Sequence, residues 1–132
     1  MNFLLDTDIC SAYMKGDGRI QNRFIQYGGG LSISVATLGE LYTWTLRAKA
    51  GRRRAQGLVD LLRDVAVLDA TPDVARRFGE IEAALLDQGR PVAEFDLLIA
   101  ATALAHGLSV ITHNVSDFEH IPGLNVIDWL SP

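Results

Sequence analysis

The chain has 132 residues, 48% of them hydrophobic and 21% charged, with a formal net charge of −4. That length suits a single domain, residues 1–132, with a proper core, and the balance is ordinary for a soluble globule. It excludes capture of nucleic acid by net charge alone: an acidic protein acting on an acidic polymer needs local basic patches or metal ions to offset repulsion.

Short apolar runs alternate with helical patterns along the chain. Residues 2–5 read as a first strand, followed by helices over 8–15 and 19–27 separated by Gly16 and Gly18. Gly28-Gly29-Gly30 punctuates the chain before a second strand at 31–34; it lacks the Lys-Ser/Thr of a phosphate-binding loop. A helix over 35–48 carries Leu38, Leu41, Tyr42 and Thr45 on one face and breaks at Gly51. Another, over 52–63, carries Leu58, Leu61 and Leu62. A third strand is expected at 65–68. Pro72 suits the first turn of the next helix, which runs to about residue 88 and ends at Gly89-Arg90-Pro91. A helix over 95–106 is stopped by Gly107, and strands follow at 108–112 and 125–127. Alternating strands and helices imply an α/β fold with a central parallel sheet of four to five strands covered on both faces, and ligands of such sheets bind at the carboxyl ends of the strands.

Four acids stand at the edges of these hydrophobic elements: Asp6, Glu40, Asp96 and Asp117. Asp96 heads an otherwise apolar helix, and burying an ionised carboxylate is costly unless it is paired, hydrogen-bonded or bound to a cation. Singly, each acid has a plain structural role open to it. Asp6 or Asp8 can cap a helix, Asp96 suits a helix dipole, Asp117 can cap a turn and Glu40 can be an exposed helix residue. Jointly they converge on one end of the inferred sheet. Hard oxygen ligands suit Mg²⁺ or Mn²⁺, which would equip the site for phosphodiester cleavage.

Leu4-Leu5-Asp6-Thr7-Asp8, Gly39-Glu40-Leu41, Phe95-Asp96-Leu97-Leu98-Ile99-Ala100-Ala101 and Thr112-His113-Asn114-Val115-Ser116-Asp117-Phe118 together resemble the PIN domain, and more narrowly the VapC toxins of bacterial toxin–antitoxin systems. The resemblance runs almost the whole chain in order and spacing. It implies a three-layer α/β/α fold and a Mg²⁺-dependent endoribonuclease, with Mn²⁺ able to substitute. Its substrate would be cellular RNA, tRNA among the candidates, and its effect inhibition of translation. Asp6, Glu40, Asp96 and Asp117 are then the acidic cluster, with Thr112 and Asn114 as accompanying polar residues. It also implies a homodimer held inactive by a VapB-like antitoxin in a toxin–antitoxin hetero-oligomer. The family usually has Asn where this chain has Asp8, an extra acid that either caps the helix or alters the outer shell of the metal site and is left outside the main ligand set.

Arg47, Lys49, Arg52, Arg53 and Arg54 concentrate positive charge around one helix break. They read either as a solvated helix end, where cations suit a C-terminal dipole, or as an RNA-backbone contact through Arg52, Arg53 and Arg54. His106, His113 and His120 lack zinc-type pair spacing. Phe24, Tyr42 and Trp44 read as core or interface residues. The single cysteine, Cys10, cannot form an internal disulfide. No signal-peptide pattern or membrane-length apolar run is present, so the expected location is the cytoplasm with no membrane partner.

Two other functions compete. Asp6-Thr7-Asp8 resembles the Asp-x-Asp opening of haloacid-dehalogenase-type phosphatases, but Cys10 stands where that pattern expects Thr or Val, and Glu40 and Asp96 would have no task. A catalytically silent PIN-fold binding module is the second rival. The retention of all four acids argues against it.

Overall fold

Phe3-Leu4-Leu5 forms the central strand because all three side chains find apolar cover, Phe3 and Leu5 on one face and Leu4 on the other. The computed structural model describes residues 3–132; Asn2, expected in this strand, lies outside the described residues. The elements follow in the order β1 (Phe3–Leu5), α1 (Thr7–Met14), α2 (Gly18–Gln26), β2 (Leu31–Ser34), α3 (Val35–Leu46), α4 (Gly51–Asp64), β3 (Ala66–Leu68), α5 (Pro72–Asp87), α6 (Glu94–His106), β4 (Ser109–Ile111) and β5 (Val126–Ile127). The five strands form one parallel sheet in the order β3-β2-β1-β4-β5. Phe3 pairs with Leu31 on one side and Ser109 on the other, and Leu5 pairs with Ile111.

A parallel sheet must be covered on both faces, and two apolar clusters do this. One joins Phe3, Leu5, Ile33 and Ile111 to Ile9 of α1, Ile20 and Phe24 of α2, Leu41 of α3, and Leu58 and Leu61 of α4. The other joins Leu4 and Val110 to Val74, Ile81 and Leu85 of α5 and to Leu97, Ile99 and Ala100 of α6. The result is the expected α/β/α layering. Burying each large aliphatic side chain contributes roughly 1.5–3 kcal/mol.

Helix ends follow their capping chemistry. Asp6, Asp17, Ser34 and Thr71 each accept a backbone N–H at the start of α1, α2, α3 and α5, and Pro72 opens α5. Gly107 closes α6 with φ 66°, a left-handed conformation that glycine adopts without steric cost. No helix among the described residues is long and apolar enough to cross a membrane.

Two expectations need revision. Gly51 does not simply break a helix: it is the first residue of α4, so Arg52, Arg53 and Arg54 occupy the first turn. Cations there oppose the helix dipole, and the reading of these three as a favourable C-terminal cluster is wrong. Tyr42 is exposed, which removes the core half of its core-or-interface reading, whereas Phe24 is buried and stacks on Tyr13 at 4.1 Å between ring centroids.

Candidate active site

Asp6 follows directly on β1, and its own N–H donates to Ile111 O (2.9 Å), which extends the β1–β4 pairing by one step. Its side chain is therefore carried by backbone tied into the sheet. Oδ1 accepts from Thr7 N (2.7 Å) and Oδ2 from the Thr112 hydroxyl (2.8 Å). Only 6% of the residue is exposed. Burial, then the neighbouring charges of Asp8 and Asp96, outweigh these hydrogen bonds and push the carboxyl up to about 7.

Asp8 lies in the first turn of α1, but the cap is Asp6. Asp8 instead reaches across to the segment after β4. Its Oδ2 accepts from His113 N (2.9 Å), lies 3.4 Å from Asn114 Nδ2 and 3.5 Å from Thr112 Oγ1. Its Oδ1 is buried and has no hydrogen-bond partner. Burial raises this carboxyl too. Thr112 itself is buried, and its hydroxyl accepts from Asn114 N (3.0 Å), so one side chain ties Asp6 to the following turn.

Glu40 is half-buried on α3, where the Thr7 hydroxyl donates to its Oε1 at 2.6 Å. The buried Thr37 hydroxyl lies 3.3 Å from that of Thr7. Asp96 sits in the first turn of α6, a helix that lacks a side-chain cap. A negative charge is favourable there, so its dipole role operates alongside any other. Burial raises its carboxyl, followed by the charges of Asp117, Glu40 and Asp8. Asp117 ends a single 3₁₀ turn, Val115–Asp117, pinned by the fully buried Phe118, and its side chain is exposed.

The five acids thus form one electrostatic group at the carboxyl ends of β1 and β4. They stand as mutually repelling neighbours: among the described residues, no three carboxylate, imidazole or thiol side chains are gathered closely enough to hold an ion as they stand. The donor set is all oxygen and anionic, the chemistry that fits Mg²⁺ or Mn²⁺, and the unpartnered Asp8 Oδ1 fits it as well. The histidines are dispersed to other tasks. His113 Nδ1 meets Asp128 Oδ2 at 3.0 Å, His106 Nδ1 meets Thr102 O at 3.1 Å, and His120 Nδ1 lies 3.3 Å from Arg90.

Hollows open on both sides of the acids. One of about 300 Å³ is bounded by Asp96 and Asp117 together with Arg90, Ser116 and His120. Another, about 460 Å³, runs from Asp8 and Ser11 to Lys15 and Gly16. It shares Lys15 and Gly16 with a third, about 720 Å³, whose walls include Trp44, Arg52, Arg53 and Arg54. Arg54 stacks over Trp44 at 4.6 Å and donates to its carbonyl at 3.1 Å, so that guanidinium is partly committed to the fold.

A family model for the PIN domain matches residues 3–124. The chain belongs to the PIN-domain family. Within this family it is of the VapC type. It is 35% identical over 130 residues to the tRNA(fMet)-specific endonuclease VapC of Shigella flexneri, covering 98% of both chains. It is 32% identical over 131 residues to ribonuclease VapC2 of Haemophilus influenzae, covering 98% of this chain and 99% of that one. Its fold superposes with a TM-score of 0.90, at 34% identity and 98% coverage of both chains, on the DNA-bound VapBC structure from Salmonella typhimurium. The four acids, Thr112 and Asn114 were legible in the sequence of this PIN domain. Thr7 and Thr37 were not singled out, although Thr7 stands between two acids that were. Arg90 and His120 carried no motif and enter through tertiary packing alone.

Proposed function

We propose that this PIN-domain protein is a divalent-metal-dependent endoribonuclease toxin, restrained in the cytoplasm by a VapB-like antitoxin. The observation that carries the reading is the crowding of Asp6, Asp8, Glu40, Asp96 and Asp117 at one end of the sheet, where burial raises the carboxyls of Asp6, Asp8 and Asp96 and neighbouring acids push those of Asp6 and Asp96 further. Such a group is unfavourable by itself and favourable around a cation. Asp6, Glu40, Asp96 and Asp117 would hold Mg²⁺, with Mn²⁺ able to replace it. When bound, the ion activates water and stabilises the leaving oxygen of a phosphodiester.

The chain's own groups do the positioning. Thr112 and Thr7 N orient Asp6, Thr7 orients Glu40, and the short 3₁₀ turn presents Asp117 at the mouth of the hollow beside Asp96. Carboxylates cannot attract RNA, so capture falls to the flanking cations. Arg90 stands on one side, and Lys15 with Arg52, Arg53 and Arg54 on the other. These would contact phosphates rather than read bases. The relatives favour an RNA substrate, and the Shigella flexneri protein, named for tRNA(fMet), makes that tRNA the first to test. The VapBC structure favours a VapB-like partner. A homodimer within that complex has support in the exposed Tyr42 and Leu46 of α3.

The test is incubation of the purified protein with tRNA in Mg²⁺ or EDTA, beside Asp96→Asn. Discrete cleavage only in wild type with Mg²⁺ is the expected result. EDTA-insensitive cleavage, or equal cleavage by the variant, rejects the proposal. Hydrolysis of a small phosphomonoester without RNA cleavage moves the assignment to a phosphatase.

A further inference from the structure

Asp8 is where this chain departs from the Asn usual in its family, and the consequence falls on two oxygens. Oδ2 is saturated: His113 N donates to it at 2.9 Å, and Asn114 Nδ2 lies 3.4 Å away. The Thr112 hydroxyl, at 3.5 Å, has one proton and directs it to Asp6 at 2.8 Å. Oδ1 is buried and makes no hydrogen bond of good geometry, the backbone N–H of Ile9 being the one further donor near the carboxyl. No Lys or Arg pairs with Asp8 among the described residues.

Asn at this place would keep one oxygen for His113 N and put an uncharged amide donor where Oδ1 now stands. That arrangement suits a loop staple. Asp accepts the loop's hydrogen bonds more strongly as a charged acceptor, but it adds a buried second oxygen that makes no hydrogen bond, which is unfavourable for a charged group. Its charge also acts on Asp6 and Asp96 in the unfavourable sense. A carboxylate is the better residue only when a cation shares the site.

We infer that Asp8, through the buried Oδ1 left over from its loop contacts, is a further oxygen donor to the divalent cation. The inference rests on the proposed metal-dependent reading and deepens it: this chain's site carries five carboxylates rather than four, and binds its ion more tightly for it. Affinity at oxygen sites rises with the number of charged ligands.

The experiment titrates Mn²⁺ alone, without RNA, into the full-length wild type, Asp8→Asn, Asp8→Ser and Asp96→Asn, by calorimetry and by the loss of the free Mn²⁺ electron-spin signal. Melts in EDTA accompany it. Asp8→Asn should bind Mn²⁺ about tenfold more weakly while its metal-free form melts at or above wild type. Asp8→Ser, which removes the charge on a shorter side chain, should show the same loss of affinity and keeps the test open should Asp8→Asn fold poorly. A residue that only staples the loop gives the opposite pair, lower stability with unchanged affinity, and that result overturns the inference. Mn²⁺ binding by wild type and Asp8→Asn within twofold does so too, leaving the metal-dependent nuclease reading standing. No Mn²⁺ binding by wild type sinks both.

Discussion

The carboxylates at the end of β1 and the arginines at the start of α4 are both clusters of like charge, and the fold treats them in opposite ways. The arginines are spread over solvent: Arg52 and Arg53 are exposed, and Arg54 rests on Trp44. The acids, the exposed Asp117 apart, are drawn inward. Asp6 is buried, Asp8 and Asp96 are half-buried, and hydroxyls and backbone N–H groups are aimed at them. Exposed charges cost the fold little. Crowded, partly buried ones persist only where something compensates them, so of the two clusters the acidic one points to a ligand.

The sharpest way to break this comparison is to neutralise an acid. Asp6→Asn and Asp96→Asn should each lower RNA cleavage roughly 10²–10³-fold while near-native circular dichroism is retained. Initial rates on tRNA in Mg²⁺ measure it, and wild-type rates in either variant remove that residue from the site. Glu40→Gln and the more exposed Asp117→Asn should lose less.

Acidity tests the same point without mutation. Asp6, Asp8 and Asp96 all have carboxyls raised above the ordinary value of 3.8. Between pH about 4 and 7 the folded chain holds protons that the unfolded chain has released, so metal-free stability falls as pH rises through that window and levels off above it. The full effect is on the order of 4 kcal/mol for Asp6 alone. Melts in EDTA should therefore show a lower Tm at pH 8 than at pH 5, and Mg²⁺ at pH 8 should recover the difference. A Tm that climbs with pH contradicts the raised carboxyls.

A smaller effect should follow loss of a supporting hydroxyl. Thr7→Val removes the 2.6 Å hydrogen bond to Glu40 and should reduce kcat about tenfold with little change in KM. An unaltered kcat means that Glu40 needs no orientation from Thr7.

The weakest effect belongs to the basic cluster. Arg52, Arg53 and Arg54 replaced together by Gln should raise KM several-fold and flatten the salt dependence of RNA binding, leaving the cleavage position unchanged. Arg54→Gln alone should also cost about 0.5–1 kcal/mol of stability through lost stacking on Trp44, read in denaturant melts. An unchanged salt slope in the triple variant returns these residues to plain solvation.

The strands were legible because a parallel sheet buried on both faces leaves continuous apolar runs such as Phe3-Leu4-Leu5. Asp6, Asp96 and Asp117 were legible because each follows or heads such a run; Glu40, inside α3, stood out only through Gly39-Glu40-Leu41. Helix ends were harder. A helix from residue 52 already puts Arg52, Arg53 and Arg54 in a first turn; grouping them with Arg47 and Lys49 around one break is what gave them the wrong pole of a dipole. The Thr7–Glu40 hydrogen bond spans 33 positions, and only the pairing of β1 with β2 brings it about. Asp8 read as a cap because two acids near one helix start compete for that role. The distinction lies in backbone geometry, which gives it to Asp6.

Cys10 offers a consequence of a different kind. Its thiol is fully buried two residues beyond Asp8, packed among Ile9, Ile33 and Leu41, and burial pushes its ionisation up. As the chain's one cysteine, it reacts with an alkylating reagent only when α1 lifts away from the sheet. The rate of alkylation in native buffer therefore clocks the opening of the helix that carries Asp8. A cation bridging α1 to the segment after β4 would slow that clock, and an unlabelled wild-type protein already contains the reporter.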